Sequence, residues 1–174
     1  MDEPLIIGGS GGPQRPRNVL ALQTRAAWDI PNEVPDDTSH SMSRIHAEAA
    51  HELFAKRPTL RLRSLLGPYN CVGLVFGSRR TAMEPEHIRR ILRDDGYRKI
   101  ERAEAHLGDL VVYHTGDRSA PTHIGVVFAK PVAETDPSLT ILSKWGHDPE
   151  YLHDLRDVPE LFGHVHEFYT ERRR

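Results

Sequence analysis

The sequence predicts an α+β protein, with helices in its first half and an antiparallel sheet in its second. Three observations carry this. Up to Gly96, apolar residues recur at helical spacing; beyond it they fall in short runs of strand length. Glycine and proline punctuate the change, at Gly67-Pro68, Gly96, Gly108 and Gly116. The links between the later runs are short and turn-rich, which suits antiparallel neighbours rather than long crossovers.

Taken in order, residues 1–17 hold Leu5-Ile6-Ile7 and then Gly8-Gly9-Ser10-Gly11-Gly12-Pro13. The glycine run lacks the Gly-Lys-Ser/Thr ending of a phosphate loop and reads as a flexible tether. Residues 18–174 read as a single domain, as a chain of 174 residues suggests. Val19, Leu20, Leu22, Ala26 and Ala27 predict a short helix over 18–28, and residues 29–39 a loop. Ser39-His40-Ser41 offers an N-cap for a helix over 42–56 with Ile45, Ala49, Leu53 and Phe54 on one face, stopped by Pro58. Residues 71–77 are a short apolar run. Glu84-Pro85-Glu86 opens a helix that Gly96 closes, with Ile88, Ile91 and Leu92 as its apolar face. Strands are predicted at 97–101, 110–113, 123–128, 139–144 and 164–169.

Composition narrows the function. Lys and Arg number 23 against 25 Asp and Glu, so the net charge of -2 gives no bulk positive field for nucleic acid. No apolar run has the length of a membrane span. The acidic Met1-Asp2-Glu3-Pro4 does not resemble a secretory leader, which predicts a cytoplasmic protein, with leaderless export as the alternative. A single cysteine, Cys71, excludes an internal disulfide and a Cys-rich zinc site.

Cys71 follows Gly67-Pro68-Tyr69-Asn70, a loop that would deliver it to the first turn of a buried helix. Free amides and a partial positive charge there lower a thiol pKa and can hold an oxyanion. The alternative is a small buried hydrophobe. His123 follows a polar loop at the predicted mouth of a strand, where it can project into a cleft as a general base.

Three pieces in order, Tyr69-Asn70-Cys71-Val72-Gly73-Leu74-Val75, Leu107-Gly108-Asp109-Leu110-Val111-Val112-Tyr113 and His123-Ile124-Gly125-Val126-Val127, resemble the NlpC/P60 branch of the papain-like cysteine hydrolases. The resemblance covers roughly residues 66–145. It implies N-terminal helices with the Cys-bearing helix packed on a C-terminal antiparallel sheet, Cys71 as nucleophile, His123 as base, and no cofactor. It also implies a third polar residue to orient the histidine, for which the next strand offers Ser143 and the following loop His147 or His153. The family usually has Asp and Ser around the cysteine, where this chain has Asn70 and Val72. The expected activity is hydrolysis of an amide or acyl bond in a peptide or related substrate. The rivals are a catalytically inactive binding or regulatory module of the same fold and a toxin-like deamidase or protease effector. A protein partner suits either rival.

Around that core, Tyr69, Asn70, Lys144, Trp145 and His153 are candidate substrate-binding residues. Trp145 could wall a cleft, and Lys144 could meet an acidic group or stabilise a thiolate; the plainer alternative is a core tryptophan and a solvated lysine. The block Ser143-Lys144-Trp145-Gly146 through Gly163 is similar to one in small uncharacterised bacterial proteins. His164 and His166 share a strand face, but no convergent third ligand supports a metal, and none is expected. Arg79, Arg80, Arg89, Arg90, Arg93, Arg98, Lys99 and Arg102 form a basic cluster that reads as a solvated face with interspersed carboxylates.

Overall fold

A computed structural model describes residues 19–34, 56–57, 59–64, 67–116, 120–130, 138–146 and 149–173. Seven strands form one antiparallel sheet. They are β1 (Arg61–Ser64), β2 (Arg98–Ile100), β3 (Leu110–His114), β4 (Pro121–Ala129), β5 (Thr140–Lys144), β6 (Glu150–Asp154) and β7 (Val165–Thr170), in the order β1-β6-β5-β4-β3-β7-β2. Every adjacent pair is antiparallel. Two short helices among the described residues, α1 (Cys71–Phe76) and α2 (Ile88–Asp94), accompany it. The α+β class and the antiparallel sheet are therefore as the sequence predicts.

The centre of the sheet is buried on both faces, which explains why β3 reads as an unbroken buried run rather than an alternating one. Its period of two still sorts the residues. Leu110, Val112 and Ile124 face the helices and pack with Cys71, Val72, Ile88, Ile91 and Leu92. Val111, Tyr113, Val127 and Ile141 face the other way and pack with Trp145, Tyr151, Leu155 and Phe162. Each such aliphatic or aromatic side chain contributes roughly 1.5–3 kcal/mol through burial, so the two layers together hold the strands in place.

Four sequence expectations change. Of the helix expected over 18–28, the described residues 19–28 form none. The chain turns back through a bridge between Gln23 and Asp29, because the Thr24 hydroxyl takes the Trp28 amide at 3.2 Å and the Thr24 carbonyl takes that of Ala27 at 2.8 Å. The helix expected over 84–96 is split into a 3-10 turn, Pro85–His87, and α2. Strands β1 and β6 escape the pattern: β1 is an exposed edge with one apolar residue, and β6 buries Glu150 and His153 where alternation expects apolar groups. His123 lies inside β4, whose first residue is Pro121. The tether of residues 1–17 and the helix expected over 42–56, apart from helical Lys56, lie outside the described residues. No helix among the described residues is long and apolar enough to cross a membrane.

Candidate functional site

Cys71 opens α1, as its sequence context predicts. Asn70 caps the helix by accepting the Gly73 amide at 3.0 Å. Its amide nitrogen also donates to the Met83 carbonyl at 2.7 Å, while its oxygen takes the Met83 amide at 3.2 Å. An aspartate could cap the helix but could not donate, so asparagine suits this clamp. Gly73 is required by a close approach: a Cβ there would stand 1.7 Å from the Thr81 carbonyl oxygen. Asn70 therefore fastens the start of α1 to Met83.

The thiol does not have the acidity expected of it. Cys71 is only 5% exposed. Burial pushes its pKa up to about 11, against backbone contacts with Ile124, Val72 and Cys71 itself and the charge of Lys144. Six residues make too short a helix to offset that desolvation.

His123 stands on the other side of the sheet. Its neighbour Ile124 packs with Cys71, so alternation turns His123 away from the thiol. The imidazole is stacked on Phe162, with centroids 4.0 Å apart and planes at 8°, and lies 5.3 Å from the Tyr113 ring. It is completely buried, and neither ring nitrogen has a hydrogen-bond partner among the described residues. Burial, and then the charge of His153, hold its pKa well below the ordinary value. The expected nucleophile and base are thus not brought together.

Ser143 and His153 do meet, on the His123 face. Ser143 Oγ and His153 Nε2 are 2.8 Å apart, and His153 Nδ1 lies 2.7 Å from the Asp154 carbonyl oxygen. Nδ1 therefore carries the proton, and the serine hydroxyl donates to Nε2. Trp145 Nε1 donates to the same hydroxyl at 3.0 Å. The expectation that His153 acts from a loop is corrected: it belongs to β6. Trp145 is a core residue against Tyr151, 4% exposed, rather than a cleft wall. His147 lies outside the described residues.

Lys144 and Tyr69 return to the Cys71 side. Lys144 is completely buried, with Nζ donating to the Gly146 carbonyl at 3.0 Å and lying 5.0 Å from the Tyr69 ring centre. The alternative of a solvated lysine is excluded. Tyr69 donates to Glu150 at 2.7 Å, and Arg79 Nε donates to the same carboxylate at 2.6 Å. Burial raises the Glu150 pKa, but these donors outweigh it and leave it below the usual carboxylate value.

A second buried carboxylate was not singled out by the sequence. Glu167 accepts from Lys99 at 2.7 Å and Tyr169 at 3.1 Å, lies 2.9 Å from His114 Nε2, and pairs with Arg89 at 3.5 Å. Burial raises its pKa, yet Lys99, Tyr169 and His114 hold it down at about 2. The signal was present in an acidic residue between the apolar positions of a strand, although a solvated glutamate gives the same pattern. The basic cluster supplies its counter-charges: Arg90 and Arg93 pair with Asp94, and Arg79, Arg89 and Lys99 with the two buried glutamates. No group of three or more His, Cys, Asp or Glu among the described residues could hold a metal.

No protein family, curated protein or solved structure matches this chain, so its geometry carries the functional argument.

Proposed function

We propose that this chain is a binding or regulatory module of NlpC/P60-like, papain-related fold that does not work as a thiol hydrolase. A cysteine-led helix lying on an antiparallel sheet supports the fold reading. One observation carries the functional reading: Cys71 and His123 project from opposite faces of that sheet, each into a packed layer. A general base must come within hydrogen-bond reach of its nucleophile, directly or through one water, and a sheet between them prevents it. The candidate substrate residues Tyr69, Asn70, Trp145 and His153 are occupied in internal hydrogen bonds, which favours a rigid scaffold presenting its surface to a protein partner.

Thiol alkylation tests the reading. A shift from 9.0 to about 11 lowers the thiolate fraction near neutral pH by about a hundredfold. Iodoacetamide should label Cys71 about a hundred times more slowly in the folded chain than in the same chain unfolded in guanidinium. Labelling faster than free cysteine, with an alkylation rate that falls on His123→Ala, would restore the hydrolase.

A further inference from the structure

Tyr113 is the cross-strand partner of both His123 on β4 and His166 on β7. The three rings therefore stand side by side on one face, with Tyr113 5.3 Å from His123 and 5.0 Å from His166. Phe162, from the 3-10 turn Glu160–Phe162, lies flat on His123. Both nitrogens of His123 and Nε2 of His166 are buried without partners among the described residues.

We propose that this row and its cap form an acid-operated latch: when His123 takes up a proton, the turn Glu160–Phe162 lifts away before the sheet unfolds. A neutral imidazole is accommodated here by stacking on Phe162. An imidazolium must place a charge and two N–H donors where no acceptor faces it. The titratable groups that face it are Tyr113 from β3 and His153 from β6, and a charged His153 adds repulsion. His153 itself feels Asp154 and Asp157 as attractive and Arg57 as repulsive. His166 feels Arg102, His164 and Arg156 as repulsive and Asp154 as attractive. A cation over the Phe162 ring recovers part of the loss, but less than the hydration that an imidazolium gives up in a dry site.

The turn is the part that can yield. It is three residues long, its middle residue Leu161 is 70% exposed, and apart from the core packing of Phe162 its hydrogen bonds among the described residues are few: Thr122 Oγ1 donates to the Phe162 carbonyl at 2.5 Å, and the Phe162 and Gly163 amides close the turn on Pro159 and Glu160. Gly163, at φ 81°, passes so close to the His114 carbonyl that a Cβ would stand 1.8 Å from its oxygen, so only glycine fits where the chain leaves the turn. β3 and β4 pair in regular register from Leu110 with Val126 to Tyr113 with His123, and the register shifts only beyond it, between Tyr113 and His114.

Hydrogen exchange on the full chain tests the latch. After correction for intrinsic rates, protection of the Phe162 and Gly163 amides should fall about tenfold between roughly pH 7 and pH 5, while ladder amides of β3 and β4 keep theirs. In the closed chain the His123 ring should keep the resonances of a neutral imidazole through this window, because burial holds its pKa well below the ordinary value. Unchanged protection at the turn, simultaneous loss at turn and ladder, or a His123 ring that titrates as an ordinary imidazole while the turn stays protected overturns the proposal. So does a folded His123→Phe chain that retains the acid response.

Discussion

Ser143 donates its hydroxyl proton to His153 across 2.8 Å, joining β5 to β6 inside the layer that Trp145 closes. The hydroxyl accepts from Trp145 Nε1 and donates to His153 Nε2, so it serves two buried groups at once. Replacing Ser143 by alanine removes both partners without removing the groups that need them. The expected cost is about 2–3 kcal/mol, at the upper end for a single hydroxyl, because buried polar atoms left unpartnered are the expensive case. Urea unfolding of Ser143→Ala against the parent chain measures it; a change within a few tenths of a kcal/mol would contradict this account.

Asn70 gives a graded series. Asn70→Asp keeps the acceptor for the Gly73 amide and loses the donor to the Met83 carbonyl, whereas Asn70→Ala loses both. Stability should fall in that order, by about 1 kcal/mol and then about 2 kcal/mol. The denaturation midpoints of the three chains check the ranking. An aspartate chain as stable as the parent would make the Met83 bond negligible.

Gly73 leaves no room for a side chain. Alanine would put its Cβ 1.7 Å from a backbone oxygen, and backbone cannot rotate aside as a side chain can. Gly73→Ala is expected to cost about 3 kcal/mol or more by forcing α1 away from Thr81. Thermal unfolding should show a large drop, whereas Gly96→Ala, which meets open space but requires φ 76°, should show a smaller one from backbone strain.

Acid should weaken the fold in two stages. His153 is lowered from 6.5 to about 4, first by burial, and His123 is lowered well below its ordinary value by burial and the charge of His153. Below about pH 6.5 the unfolded chain therefore binds protons that the folded chain refuses, and stability declines until the folded imidazoles titrate. For His153 alone the decline is roughly 3 kcal/mol. Glu167, held at about 2, acts at lower pH: its stabilisation is present above the unfolded carboxylate value and is lost as pH falls toward 2. Urea midpoints at successive pH values follow both stages. A flat profile between about pH 7 and pH 4 would contradict the buried neutral imidazoles.

Much of the fold was legible because strong local signals agreed with it. The apolar runs at Leu110–His114 and Pro121–Ala129 lie at the centre of a sheet buried on both faces, where propensity and burial point the same way. Pro85 and Gly96 marked the span of α2 and its leading turn. Strand β6 was hidden because Glu150 and His153 look solvated in sequence, and only partners as remote as Tyr69 and Ser143 make them interior residues. The site divides in the same way. Local context placed Cys71 at the start of a helix, but the face to which His123 points depends on strand register. A shift of one residue reverses that face without changing the motif.

Glu167 ties Arg89, Lys99, His114 and Tyr169, so one carboxylate fastens α2, β2, β3 and β7 together. Strand β2 has only three residues, too few to cling to its neighbour by ladder bonds alone. Its place at the rim is owed to that clasp. Released from it, β7 would lie bare along one side and offer its unfilled amides and carbonyls to a second chain, so the same group that organises the interior also guards against stickiness between molecules.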